Sequence, residues 1–465
     1  MTTLFFSFSA QTVFKNFFFF EGSLFDMLKQ HLDKHEDICI VLLLPEISGA
    51  YDSFFSTRKH PHIIIEKIPF PKERRIVERA LRFFYSYFIY TGTTRIMATI
   101  GIRPDEPPAG GKCKQLLAPL KIGIAKTFGR MRLMRQHVIP FLFYRIFRER
   151  PFSSLFEIYK PDLIFMPHLY GFFDTMLLAE AKKRKVKTIG MVSNWDHFDK
   201  YYLPFQSDIL LAQSEQIKDF AIRHQWYDPA TIHLVGYPTH DFIFKNAHKK
   251  TRRETLVDLR LPPDARYILY ISGSAYCKDE PDIIEEMLKQ IGKGRFGDTM
   301  YLVIRPYAGT RPADREYDKE KFDRFLSAPR ARTFAGEFWG DVAKTANFVS
   351  ILEYASVVHV VYSTAALEAA VLDKPLVAPT FDGYHIRPFR ESIRRFAIRE
   401  HFRDVLETGA LKQANNFDEL FLYTDAYLTD PSRDKEKREL LRRHLCFKID
   451  GRASERIFQH IVKEL

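Results

Sequence analysis

The stretch from Ser356 to Gly383, SVVHVVYSTAALEAAVLDKPLVAPTFDG, decides the reading of the fold. Its first part, Val357 to Val361, is a short β-branched apolar run of the kind that fills a strand buried on both faces. Tyr362-Ser363-Thr364 follows, and an Ala-rich helix is predicted from there to Asp373. Ser363 or Thr364 is its natural N-cap, and Glu368 falls in its first turns. Pro375 opens a second strand over Leu376 to Ala378. Strand, capped helix and strand in so few residues make a βαβ unit. A helix N-terminus just past a strand offers N–H groups and a positive dipole end to a phosphate. Glu368, a turn further in, is placed to accept from ribose hydroxyls. The plain alternative is an ordinary βαβ unit with Ser as cap and Glu as a solvated helix residue.

The same alternation runs outward from this unit. Buried-strand patterns at 4–8, 38–44, 63–68, 162–166, 186–192, 208–212 and 232–235 are separated by helical periodicity, and the pattern restarts at 267–271, 300–304 and 330–334. This is the signature of a doubly wound α/β protein with parallel sheets. At 465 residues the chain suggests two domains of about 200 residues each. The charged linker at 247–263, ending in Pro262-Pro263, is the expected joint. Beyond Gly383 only helices are predicted. The 70 Lys and Arg against 58 Asp and Glu leave +12, a basic excess that favours anionic partners. The four cysteines (Cys39, Cys113, Cys277, Cys446) form no C-x-x-C pair, which argues against a zinc site or a disulfide framework. No apolar run reaches about 18 residues, so no membrane span is predicted. The N-terminus lacks the basic n-region of a signal peptide. A cytoplasmic protein is the expectation.

In an open α/β sheet, ligands bind at loops beyond the carboxyl ends of strands. Ser9, Gln11 and Thr12 follow the first strand. His168 follows another, in Pro167-His168-Leu169-Tyr170-Gly171. Ser193-Asn194-Trp195-Asp196-His197 follows a third and puts an Asp and a His on one loop. Asp196 is a candidate general base toward an acceptor hydroxyl, or else holds the loop by capping its turn. His168 and His197 are comparable candidates. In the second half, Ser272-Gly273-Ser274 is a small turn between strand and helix that can admit a phosphate closely. Arg305 ends a strand and can pair with a diphosphate bidentately.

The stretch from Lys112 to Arg150 carries no acidic residue before Glu149. Its cations alternate with Leu116, Leu117, Leu120, Ile124, Phe128, Met131 and Met134 at helical spacing. A basic amphipathic helix reads as a membrane-surface element, and the alternative is a core helix with a solvated cationic face. No RNA-recognition motif is present, and no nucleic-acid partner is expected.

Tyr362-Ser363-Thr364-x-x-Leu367-Glu368-Ala369 followed by Lys374-Pro375-Leu376-Val377 resembles the donor-nucleotide segment of GT-B glycosyltransferases. It is most similar to the branch of bacterial surface-polysaccharide enzymes that contains CDP-glycerol glycerophosphotransferases and UDP-N-acetylglucosamine 2-epimerases. Gly236-Tyr237-Pro238 is similar to a Gly-x-Pro of that branch. Asp450-Gly451-Arg452-Ala453-Ser454-Glu455-Arg456 resembles its Asp-Gly-x-Ala-x-x-Arg. Arg305-Pro306-Tyr307 departs from the branch's Arg-x-His-Pro, which weakens glycerophosphate transfer as the activity. The resemblance implies a GT-B architecture, two Rossmann-like doubly wound domains facing a cleft. It places an acceptor-side domain at 1–247, a donor domain at 248–450 and a returning helix at 451–465. It also implies donor contacts from Ser363, Thr364 and Glu368, beside which Ser272, Gly273, Ser274 and Arg305 stand as donor-contact candidates, and Asp196, His197 and His168 as catalytic candidates, on their own chemistry.

The expected activity is glycosyl or sugar-phosphate transfer from a UDP- or CDP-linked donor to a surface polysaccharide or lipid-linked glycan. No Asp-x-Asp pair is present, so neither a metal nor a separate cofactor is expected. Peripheral contact with an anionic inner membrane face through 112–150 would suit such an acceptor. Two other readings stay open: a UDP-sugar 2-epimerase, and a non-enzymatic basic membrane- or polyanion-binding protein on a degenerate scaffold of this kind.

Overall fold

The computed structural model describes residues 1–46, 52–100, 116–245, 248–307, 312–334 and 341–465. They form two compact units: Met1–Thr94 with Leu117–Asp241 and Asp450–Leu465, and Arg95–Leu116 with Phe242–Ile449. The 103–111 loop, residues 112–115 of the basic stretch, and the side chains of Gln11 and Thr12 lie outside what is described.

The first unit is built on seven parallel strands: β1 Thr2–Ser7, β2 Ile38–Pro45, β3 Ile63–Ile68, β4 Leu163–Met166, β5 Lys187–Gly190, β6 Ile209–Ala212 and β7 Ile232–Leu234. Their order is β3-β2-β1-β4-β5-β6-β7. The chain winds outward from β1 in one direction, then returns to lay β4 on its other side. The loops after β1 and β4 therefore diverge, which makes their carboxyl ends the switch point where such sheets bind ligands. The central strands β1, β2, β4 and β6 are largely apolar and buried, as strands covered by helices on both faces are, while the edge strand β3 carries Glu66 and Lys67. Every residue of β2 is buried. Phenylalanines fill the space around them, with Phe6 packed edge-on to Phe165 (5.0 Å) and Phe8 to Phe18 (5.1 Å). The helix Phe172–Arg184 is buried all round through Ala181 and ends in Lys182, Lys183 and Arg184 at its negative dipole end. The last helix, Ala453–Glu464, is capped from a distance. The Asp241 carboxylate accepts from Ala453 N (2.9 Å) and Ser454 N (2.7 Å), and Arg456 donates to Val235 O (2.8 Å).

The second unit holds six parallel strands: β8 Arg266–Ile271, β9 Met300–Arg305, β10 Ala331–Thr333, β11 Val357–Val360, β12 Leu376–Pro379 and β13 Leu411–Ala414. The order β10-β9-β8-β11-β12-β13 repeats the same plan, with its switch point between β8 and β11. The β11–helix–β12 unit lies where the sequence predicts it, its helix running Ala365–Val371.

Two expectations are corrected. The region beyond Gly383 is not purely helical: Leu411–Ala414 pairs with β12 as an edge strand. Only four residues long, with its middle two half-exposed, it has no apolar run to betray it. The basic stretch is not one amphipathic helix either. From Ala118 it breaks into a helix to Lys126, a tight turn Phe128–Arg130, a wide turn Met134–Val138 and a helix Ile139–Ile146. Gly129 is pinned against the Phe88 carbonyl, where a Cβ would lie 2.3 Å from the oxygen. Arg135 turns inward over Trp226 (4.0 Å) and Tyr202 (4.9 Å) and donates to Gly129 O (3.3 Å). Among the described residues no helix is long and apolar enough to cross a membrane.

Candidate functional site

At the switch point of the first sheet, β1 delivers Ser7 and Ser9 and β4 delivers His168. The turn 167–171 then starts the helix Phe172–Arg184, whose first turn carries Asp174. Asp174 is fully buried in an otherwise apolar segment, and a buried carboxylate must be paired. It accepts from His168 Nδ1 at 2.6 Å through one oxygen and from Ser7 Oγ at 3.2 Å through the other. Ser9 Oγ lies 3.3 Å from the same Nδ1. A carboxylate against Nδ1 requires the proton there, so Nε2 is left as the basic nitrogen of the neutral ring. Gly171 makes this possible: a Cβ there would meet Asp174 Oδ2 at 2.7 Å and His168 Cε1 at 3.2 Å.

The loop after β5 brings the other candidates beside this pair. The Tyr170 ring sits 3.9 Å from the rings of both His168 and His197, and lies parallel to Tyr201 at 4.7 Å. Burial, helped by Tyr201 and Asp196, pushes the Tyr170 phenol well above its ordinary range. Asp196 is ion-paired to Lys200 and lies 3.7 Å from His197 Nε2. Its carboxylate is thus engaged by a cation four residues on, which ties the loop. Trp195 and Phe198 anchor the loop in the core, and Asp199 accepts from Thr93 Oγ1 at 2.6 Å. All three sequence-predicted catalytic residues therefore meet in one cluster. His168 is the one with an oriented ring. Asp174 and Ser7 were missed, although a lone carboxylate in FFDTMLLA, six residues after a His, is a readable signal.

In the second unit the Ser272-Gly273-Ser274 turn follows β8 and packs against the end of β11. A Cβ on Gly273 would meet Val361 Cγ2 at 2.5 Å. Apart from the Ser274 hydroxyl, its donors are already used. Gly273 N donates to Glu280 Oε1 (2.6 Å), and Ser274 N donates to Ser272 Oγ (2.9 Å). Ser272 Oγ sits 3.0 Å from Glu280 Oε2 and 2.8 Å from Asp318 Oδ2. Lys321 closes the cluster, donating to Glu280 Oε2 (2.6 Å), Ser274 O (2.9 Å) and Cys277 O (3.2 Å), with Asp318 at 3.5 Å. Burial pushes the Glu280 carboxyl up against the pull of Lys321. Burial also opposes the Lys321 charge, but Glu280 and Asp318 outweigh it and raise that ammonium. The protein's own carboxylate thus occupies the anion position of this turn. This corrects the expectation that Ser272 and Gly273 offer donors to a phosphate; together with Ser274 they hold the switch-point loop in shape.

The remaining candidates stay open. In the helix Ala365–Val371 every residue but Glu368 is buried, and Ser363 and Thr364 lead into it half-buried and exposed. Thr364 and Glu368 are four apart and share one helix face. Of the two hydroxyls, Thr364 makes no side-chain cap bond, while Ser363 Oγ accepts from Ala365 N at 3.4 Å, two residues on, as an N-cap does. Arg305, at the end of β9, lies 3.7 Å over the Phe348 ring, and the charge of Glu368 acts on it. One trio among the described residues, Asp279, Asp282 and His385, could gather around a cation. Asp279 is already clamped by Arg387 through two nitrogens, and the trio carries no assignment.

No protein-family model matches the chain, and no curated protein matches its sequence. Solved structures do match its fold. The UDP-GlcNAc 2-epimerase from Neisseria meningitidis, solved bound to UDP-GlcNAc, aligns over 99% of this chain and 100% of its own, with TM-score 0.55 and 11% identity. The UDP-GlcNAc 2-epimerase from Methanocaldococcus jannaschii aligns over 99% and 100%, with TM-score 0.53 and 13% identity. A glycosyltransferase from Rickettsia africae aligns over 99% of each chain, with TM-score 0.51 and 9% identity. Likeness at these identities is likeness of fold, and the fold of this chain is GT-B, the architecture its 356–383 stretch resembles.

Proposed function

We propose that this chain is an enzyme that transfers a sugar, or a related sugar-phosphate group, from a nucleotide-diphosphate donor to a hydroxyl of a surface glycan or lipid-linked glycan. The observation that carries the reading is the His168–Asp174 pair at the switch point of the first sheet, an imidazole held in one tautomer with its basic nitrogen at Nε2. In this reading Nε2 takes the proton of the acceptor hydroxyl as the new C1–O bond forms. The bond from C1 to the donor phosphate breaks, and its electron pair leaves with the nucleoside diphosphate. The second unit recognises that diphosphate end through Ser363, Thr364 and Arg305, whose donors suit developing negative charge, and Glu368 holds the ribose. The Neisseria relative in fold binds UDP-GlcNAc, which supports a UDP-linked donor.

A second reading, sugar-nucleotide 2-epimerisation, is favoured by the crowding of Tyr170, Asp196, His197 and Lys200 beside His168. Epimerisation needs an acid and a base around one sugar and no acceptor. Incubation with UDP-GlcNAc separates the two. Transfer predicts release of UDP that rises when an acceptor glycan is added, and its loss in His168→Gln. Conversion to the 2-epimer without acceptor would replace the transferase reading. Absence of nucleotide binding across UDP, CDP, GDP, ADP and TDP in thermal melts would sink both.

A further inference from the structure

We infer that the solvent side of residues 117–148 is a docking surface for an anionic lipid bilayer. The inference goes beyond the enzymatic reading and does not depend on it. The segment belongs to the first unit and has two sides of opposite character. Its inner side is fixed: Ile124, Ile139, Phe143 and Phe147 are buried, Lys121 lies over the Tyr87 ring at 5.0 Å, and Arg135 is enclosed by Trp226 and Tyr202. Its outer side exposes Leu117, Leu120, Phe128, Met131, Leu133 and Phe141, with Leu133 62% and Phe141 57% accessible. Six large apolar side chains on one such segment are more than the scatter expected of a soluble surface.

The charges beside them choose the partner. Lys126, Arg130, Arg132, Arg145 and Arg148 are exposed among the apolar residues, and no Asp or Glu occurs from 117 to 148. None of the five pairs with a carboxylate among the described residues. Arg132 donates to the neutral Gln136 (2.7 Å), and Arg145 lies 5.3 Å over the Phe141 ring. Elsewhere, surface cations of this chain do find acids, as Arg295 finds Asp425 at 2.8 Å. A lipid interface satisfies both sets at once. The apolar chains enter the acyl boundary, while the long cationic side chains stay at the level of the phosphates. A folded protein partner would need a matched array of carboxylates, one opposite each cation.

The test is sedimentation of the full chain with vesicles of phosphatidylcholine alone and of phosphatidylcholine with phosphatidylglycerol. The wild type is expected to pellet with the anionic vesicles and to be partly released by salt. Arg130→Gln with Arg132→Gln should weaken vesicle binding roughly 30-fold, from the attraction lost per cation near such a surface. Leu133→Ser with Phe141→Ser should abolish the salt-resistant fraction. Both variants alter exposed side chains only, and their melting and nucleotide binding are expected to match the wild type. A wild type that stays in the supernatant with anionic vesicles overturns the inference, as do variants that pellet unchanged. Self-association without vesicles, relieved by Leu133→Ser with Phe141→Ser, would instead assign the face to a second copy of this chain.

Discussion

Replacing Lys321 by Met tests how the Ser272-Gly273-Ser274 turn is held. Methionine keeps most of the volume packed near Tyr317 and Phe322 and removes only the ammonium. Four acceptors lose a partner: Glu280, Asp318, Ser274 O and Cys277 O. Both carboxyls are fully buried, and both compete for the single proton of Ser272 Oγ. Uncompensated buried charge of this kind costs about 3–5 kcal/mol when one partner is removed. The loss is pH-dependent, and its sign follows from Glu280. Its carboxyl is already raised in the folded protein, so the fold binds its proton more tightly than the unfolded chain does. Without Lys321 this carboxyl rises further. Stability of Lys321→Met is therefore expected to fall as pH climbs above the ordinary carboxylate range and to recover toward acid. Denaturant melts at neutral and mildly acidic pH measure this. A two-unit chain need not unfold in one step, so the comparison is made on the transition that shifts. Lys321→Met with Glu280→Gln should regain part of the loss, because one of the two stranded charges is gone. A neutral-pH loss under about 1 kcal/mol, or one independent of pH, refutes the account.

Other outcomes follow from the same geometry. His168→Gln should lower kcat by roughly a hundredfold to ten-thousandfold with little change in nucleotide binding, read by nucleoside diphosphate release from the donor. Gly171→Ala should reduce activity and also lower the melt, since the added methyl presses on the fully buried Asp174 Oδ2 and on the His168 ring. Glu368→Ala should remove the thermal shift produced by the donor nucleotide without altering the melt of the ligand-free protein. His359, buried in β11, bonds Thr424 Oγ1 through Nε2 at 3.0 Å, and burial lowers its pKa to about 3. The unfolded chain therefore takes up a proton between pH 6.5 and 3 that the fold refuses, and stability rises with pH across that window. About 2 kcal/mol should be gained from pH 5 to 7, and the imidazole NMR signals of His359 should show no protonation above about pH 4.

Much of the architecture is legible in local pattern. Apolar β-branched runs mark strands buried on both faces, and Ser356 to Gly383 shows strand, helix and strand in order, because burial on two sides leaves no polar alternation to blur the signal. The residues that cluster after β4 and β5 could also be nominated, since loops past strand ends carry function. The sequence alone determined that His168, Asp196 and His197 lie on such loops, and that Thr364 and Glu368 share a helix face. Their roles were decided only by tertiary structure. Asp174 orients His168 because a helix start and a turn fold back on each other over Gly171. Asp196 is engaged because Lys200 comes round one turn later. The Ser272-Gly273-Ser274 turn reads locally as a phosphate cradle, yet Glu280, Asp318 and Lys321 arrive from 7 to 47 residues away and fill it. A hydrogen bond is specified by which groups meet at about 3 Å, and one-dimensional spacing fixes that distance only within a turn of helix or a pair of strand residues. Between elements, it is the packing of the whole sheet that chooses the partner.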